Sequence, residues 1–287
     1  GGTLRALEDN DAFMVGLDTA DIHAGGAIID SQEFDITIAS SLTDNTFSGG
    51  GLTKNGSGTL RLTGFNTYGG PTVVNGGKLL VSTVGFANGN YTVANEAGFG
   101  VIVAAAGTQI VPANLTLGSS GPTTLDFDLG AFGNPFVAPI NVMGTFAVNG
   151  TVTVSIRHDL PQVGQFPLVQ YGSLTGSGSF VLGELPVGVA AALVTNTAAG
   201  SIDLNITQVD AVRWEGLVNG DWDIGVTTNW VNTGTLLPAT FADGNPAIFN
   251  DEALGTTSVN LTTTVSPNGV SVDNDLLNYT FAGPGKI

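Results

Sequence analysis

Asp126 and Asp128, in the segment TLDFDLG, have the spacing of a carboxylate pair. On a strand the side chains alternate, so residues two apart point to one face, and two carboxylates so placed are the apparatus of a polysaccharide hydrolase. The same alternation turns Leu125, Phe127 and Leu129 to the opposite face. This is the plainer reading, a solvent-facing strand with its apolar residues inward. It is favoured because no Lys, Arg or His lies within fifteen residues to tune a carboxyl group. Arg157 and His158 are the only adjacent basic pair, short of the basic set a calcium-assisted lyase needs. His23 and His158 read as exposed turn or strand-end residues. Two histidines without a GxSxG elbow give no serine hydrolase, and zero cysteines exclude disulfides, thiolate metal sites and a thiol nucleophile.

Asp221, Asp223 and Asp243, with Asp251, Asp273 and Asp275, are oxygen donors of the kind calcium takes. Their spacing fits neither an EF-hand nor a nonapeptide calcium repeat, so solvated acidic turns are the simpler expectation. Trp214, Trp222 and Trp230 recur every eight residues. That spacing suits either a sugar-stacking platform or, with the greater weight, large apolar plugs in a core. Asn-x-Ser/Thr sequons at Asn55, Asn90, Asn114, Asn149, Asn205, Asn260 and Asn278 are candidate glycosylation sites in a chain rich in all three residue types.

The elements that must hold these residues are short and β-rich. The 287 residues include 42 glycines without a collagen triplet, and hydrophobic residues are 42%, so the chain is ordered rather than a flexible polar tract. Seven Lys plus Arg against 24 Asp plus Glu give a net charge of −17, which excludes nucleic acid or an anionic membrane as partners of a basic surface. Apolar runs of four to eight residues, closed by Gly, Asn, Ser or Pro, recur from Leu17 to the end. Leu7–Val15 is the one segment that suggests a helix, of about two turns. No initiator methionine, signal peptide or apolar run of 18 residues is present, so the expectation is a mature or excised part of something longer that does not insert in a membrane.

Residues 50–82, GGLTKNGSGTLRLTGFNTYGGPTVVNGGKLLVS, organise the rest. Four short runs are separated by Asn-Gly, Gly-Gly and Gly-x-Gly. Leu60 and Leu62 alternate with Thr59, Arg61 and Thr63, so the two leucines face inward and Arg61 outward. No run can bury its own apolar face, but a stacked solenoid covers all of them, with each coil bonded to the next at about 4.8 Å. At roughly 20–25 residues per coil, the whole chain would form about twelve coils. The segment resembles the autotransporter-associated β-strand repeat, or passenger-associated transport repeat, of bacterial surface proteins. Gly51, Leu52, Lys54, Gly56, Gly58, Thr59, Leu60, Leu62, Gly64, Asn66, Thr67, Tyr68, Gly70, Thr72, Val74, Gly77, Leu79 and Val81 fall in that family's register, and Pro71 departs from it. The resemblance implies a right-handed parallel β-helix on an exported protein, extracellular or at the cell surface, with no catalytic residues or cofactor.

A compositional change near 208–212 divides a β-helical region, 1–209, from a Trp/Asp-rich β module, 210–287, that is expected to continue the solenoid. The final block, with VRWEGLVNGDWD and YTFAGPGKI, resembles a tract found between β-helical repeats of large bacterial surface proteins; Asn245 and Asn250 stand where that pattern favours Asp. GGTLRA at the start aligns with GGKLLV of the repeat. Gly1, Gly2, Leu4, Tyr279, Phe281 and Ile287 are therefore expected at assembly ends, continued in a longer tandem chain or by head-to-tail stacking of copies. The overall expectation is a non-catalytic structural protein: a spacer, an adhesin or the subunit of a fibre. The alternative is a carbohydrate-active or glycan-binding β-helix with surface glycans as partners.

Overall fold

A computed structural model describes residues 2–287 except Thr46, Phe86, Ala87, Asp159, Leu160 and Val187; Gly1 lies outside the described residues. Every regular element among them is a strand. Among the described residues no helix is long and apolar enough to cross a membrane. The chain forms two compact units. One holds residues up to 159 with 165–185 and 192–205, and the other holds 160–164, 186–191 and 206–287.

The first unit is a parallel β-helix. One ladder stacks Gly2–Arg5, Ala27–Asp30, Leu52–Asn55, Thr72–Val74, Asn90–Val93, Asn114–Leu117, Ile140–Val148 and Gly164–Thr175, and within this unit ends in residues 201–205 and 192–196 of the strands Ser201–Val209 and Val189–Asn196. A second stacks Asn10–Met14, Ile36–Ile38, Thr59–Leu62, Lys78–Ser82, Gly98–Ile102, Thr123–Asp128, Thr151–Arg157 and Ser179–Leu182. Each ladder sends two rows of side chains into the core. In the second ladder, Ile36, Leu60, Leu79, Phe99, Leu125 and Val154 lie in register and are buried. Arg61 alternates outward, as the leucine spacing implies. A parallel sheet leaves its strand ends at successive turns that must superimpose, and this is what fixes the motif glycines. Gly56 has φ +85°, a left-handed conformation that an L side chain resists. At Gly58 a β-carbon would lie 1.9 Å from the carbonyl oxygen of Phe34 in the preceding coil.

The Asn-Thr-Tyr motif turns a third corner. Ala20–Asp21 pairs with Leu42–Thr43, and one coil further on the strand is replaced by side chains. The Asn66 carboxamide accepts the Leu42 N–H (2.9 Å) and donates to the Gly64 carbonyl (3.0 Å), while Thr67 N–H bonds the Leu42 carbonyl. Tyr68 fills the core beneath, its hydroxyl 2.8 Å from Thr72 Oγ1.

Two expectations are corrected. Leu7–Val15 is not a helix: Asn10–Met14 is a strand whose Asn10 N–H bonds Asp35 O and whose Met14 carbonyl accepts from Ala39. A two-turn helix is too short to persist unaided, whereas the neighbouring coil offers a waiting row of partners. The coils are also less uniform than 20–25 residues. In-register partners are 19 residues apart from Thr72 to Tyr91 but 31 apart from Leu115 to Phe146, where a loop leaves the ladder before Ile140, and one ladder of the first unit contains eight parallel strands up to Gly164–Thr175.

The second unit mixes both pairings. Val212–Trp214 runs antiparallel to Trp230–Asn232 and parallel to Pro246–Asn250, which in turn stacks on Gly269–Asp273. Asp221–Trp222, Ser258–Leu261 and Thr280–Ala282 form a second, parallel sheet. Between them Trp214, Trp222, Trp230, Phe241 and Phe249 make a buried aromatic cluster, with centroid separations of 5.1 Å for Trp214–Trp230 and Trp222–Trp230.

Candidate functional site

Asp126 and Asp128 stand on the outer face of the second ladder, with Leu125, Phe127 and Leu129 buried behind them. Their basic partners come from other coils, which the linear sequence conceals. Lys78 shares a row with Gly98 and Thr124, and its side chain lies over Gly98, where an added Cβ would be 3.4 Å from Lys78 Cε. The missing side chain lets the ammonium reach Asp126 at 3.0 Å. Arg157, directly opposite Asp128 in the next coil, lies 3.5 Å from it. Asp35 is held likewise. Burial alone would raise its carboxyl, but hydrogen bonds from Thr59 and the Arg61 guanidinium 3.7 Å away outweigh that and lower it. This face is a set of cross-coil ion pairs rather than an acid–base pair facing a cleft.

His158 corrects a third expectation. It is 4% exposed, not a surface residue. Nδ1 lies 3.3 Å from the Gly130 carbonyl, Nε2 lies 3.2 Å from the Asn134 side-chain oxygen, and the ring meets Phe166 edge-on. Burial pulls its pKa down to about 4 against the support of the Gly130 carbonyl, so at neutral pH it is an uncharged core residue.

Buried charge appears at two further places. Lys54 sits in an inward row between Ile29 and Val74 and is 0% exposed. Its ammonium bonds the carbonyls of Asn55 (2.9 Å), Gly56 (2.8 Å) and Gly76 (3.1 Å), matching three donors to three acceptors. Burial draws its pKa down to about 8, while the fields of Asp30 and Asp35 act the other way. In the second unit Arg213 is buried between Glu215 and Glu252. Lys54 was legible, since GLTKN places it on the face of Leu52; Arg213, inside the continuous apolar run around VRW, had no alternation to mark it.

Asp221, Asp223 and Asp243 are on separate turns that each organises. Asp221 accepts from Asn219 and Asn260, Asp223 from Val226, Thr227 and the Thr227 hydroxyl, and Asp243 from Ser266 N–H. Among the described residues no group of three or more His, Asp or Glu gathers to hold a metal ion. Trp214, Trp222 and Trp230 are 0%, 0% and 1% exposed and offer no ring face to a sugar. Of the sequon asparagines, Asn114, Asn149 and Asn260 donate their Nδ2 to Asn90, Gly118 and Asp221, while Asn55 accepts from Asn75; Asn205 is half-buried and Asn278 exposed.

Of the residues expected at assembly ends, Gly2, Leu4 and Phe281 lie on edge strands, Tyr279 and Ile287 lie outside the strands, and Gly1 is outside the described residues. Gly2–Arg5 pairs on one side only, with Leu4 over Ile29 and 44% exposed. Gly269–Asp273 and Thr280–Ala282 are edge strands of the second unit, and Val270, Val272 and Phe281 extend its inward rows while 40–53% exposed. Tyr279 is half-buried, its hydroxyl donating to the Asn250 carbonyl, and Ile287 is exposed.

Residues 52–81 match the passenger-associated-transport-repeat family. That repeat belongs to autotransporter passengers, which are secreted to the cell surface. No curated protein and no solved structure matches the chain.

Proposed function

We propose that this chain is a non-catalytic structural segment of an exported bacterial surface protein, a rigid spacer that carries other parts of a passenger away from the cell. One observation carries the reading. The matched repeat is not an isolated motif, because its inward rows run without interruption into the coils before it and after it. A module built from one repeating contact gives reach and slow unfolding rather than a reaction centre. The outward charges nearest to a catalytic spacing are tied in ion pairs, which supports the same reading.

The edge strands on each unit are the second support. Exposed edges with apolar residues pair readily with further strands. In this reading the edge with Val270, Val272 and Phe281 stacks on the Gly2–Arg5 edge of another copy, and a fibre follows from repetition of that contact. The test joins two measurements. Fused behind a signal peptide and ahead of an autotransporter translocation unit in a Gram-negative host, the chain should become accessible to protease on intact cells. The purified chain should turn over none of a panel of neutral and acidic polysaccharides. Retention in the periplasm, or any turnover abolished by Asp126→Asn, overturns the proposal. A sedimentation coefficient that stays that of a monomer across a hundredfold concentration range removes the stacking part alone.

A further inference from the structure

The two outer sheet faces of the β-helix differ in charge. The ladder of Thr59–Leu62, Lys78–Ser82, Thr123–Asp128 and Thr151–Arg157 presents Arg61, Lys78, Asp126, Asp128 and Arg157. The other ladder, over its six strands from Leu52–Asn55 to Gly164–Thr175, contains one charged residue, Lys54, and that residue points inward. In a chain of net charge −17 this is an extended neutral surface.

Its side chains are in register along the stacking direction. Thr53, Val73, Thr92, Thr116, Ala147 and Thr175 form one row. Asn90, Asn114, Thr145 and Ser173 form a second. Successive members of a row are about 4.8 Å apart, and the two rows about 6.7 Å apart along each strand. Asn114 donates to Asn90 at 2.8 Å, so the amides are already tied to one another and fixed in orientation. The hydroxyls of Thr53, Thr92 and Thr116 take no hydrogen bond from any described residue, and each remains both a donor and an acceptor. The threonine and valine methyl groups between them give an apolar floor. β-Branched side chains on a sheet are stiff at χ1, so the array loses little entropy when a partner settles on it.

A periodic, neutral, hydroxyl-bearing surface fits a partner that is itself periodic, neutral and hydroxylated. We infer that this face binds a linear neutral polysaccharide lying along the stacking direction, with the free hydroxyls of Thr53, Thr92 and Thr116 bonding sugars whose spacing is close to one coil rise. An acidic polysaccharide is disfavoured by the charge of the whole chain. The inference adds a ligand to the spacer reading and stands independently of whether the edges stack.

Affinity electrophoresis in native gels tests it, with barley β-glucan, glucomannan, galactomannan or hydroxyethyl cellulose in the gel and alginate as the charged control. The whole chain should be retarded by at least one neutral polymer and not by alginate. The double substitution Thr92→Val with Thr116→Val keeps shape and strand preference but removes two hydroxyls, and should weaken retardation about tenfold. Thr37→Val, on the charged face, should migrate as the unsubstituted chain. Absence of retardation in all four neutral gels overturns the inference, as does equal retardation of the double variant. A dimer in sedimentation that the double variant dissociates would show the face to be a contact between copies, and overturns it too.

Discussion

Replacing Gly58 by alanine probes the stacking of turns on which the repeat depends. The added β-carbon would lie 1.9 Å from the Phe34 oxygen and 2.5 Å from its carbonyl carbon. Even a close C–H···O contact needs about 3.3 Å, so the two turns must separate by about 1.4 Å or more. Two bonds tie this turn to the coil before it, Gly58 N–H to Gln32 O at 2.7 Å and Thr59 N–H to the Asp35 carboxylate at 2.8 Å. With each unmade bond costing about 1–3 kcal/mol, the expected loss is about 4 kcal/mol. Gly69→Ala in the same repeat is the control. Nothing lies within 4 Å of its β-carbon position, so the change should be neutral or stabilise by up to about 1 kcal/mol. Because the chain has two units, the assay is hydrogen exchange followed by mass spectrometry on peptides from 52–81, which reads local opening without assuming one global transition. Gly58→Ala should exchange several hundredfold faster, the equivalent of about 4 kcal/mol. Exchange at the unsubstituted rate, or an equal acceleration in Gly69→Ala, would refute the account of why the motif contains these glycines.

Leu62→Asp should cost several kcal/mol, about 3 or more, by placing a carboxylate in a fully buried row, whereas Arg61→Ala should cost less than about 1; similar urea midpoints for the two would mean the inward face is misassigned. His158 has a folded-state pKa near 4 against an ordinary 6.5, so the unfolded chain binds the proton first as pH falls. Its contribution is complete above about pH 6.5 and declines towards pH 4 by about 3 kcal/mol. Urea midpoints between pH 7 and 4.5 should therefore fall less steeply in His158→Gln, and parallel curves would place the titrating group elsewhere. Iodide should leave the emission of Trp214, Trp222 and Trp230 nearly unchanged, and quenching comparable to free indole would contradict their burial in the aromatic cluster.

Much of the fold was legible where local and stacking requirements coincide. The alternation around Leu60 and Leu62, and the glycines between runs, state both the strand period and the tight turns, and the structure places them as the spacing implied. The same alternation in TLDFDLG oriented Asp126 outward correctly. Its partners were not legible, because Lys78 reaches it across a coil and only the register reveals that Gly98 leaves the path open. Leu7–Val15 misled for a related reason: its local pattern suits a helix, but the pairing that decides its conformation comes from Asp35 to Ser40. His158 looked polar and therefore superficial, yet the longer coil around Gly130 and Asn134 covers it. Single-chain patterns report the period of an element well, and report poorly on what the next turn of the solenoid brings over it.

The one-coil offset between partners also bears on how such a chain reaches its structure. Between the parallel strands of the β-helix a hydrogen-bonded neighbour is found only 19–31 residues away. Adding coils lengthens the protein without lengthening any search. Sequence separation relative to chain length, which slows folding in most all-β proteins, therefore decreases as the rod grows. A coil already in place offers its successor a complete row of acceptors and an open apolar floor, so acquisition of structure can proceed in one direction, in step with the arrival of the chain. Each arriving segment has one template and needs no distant partner.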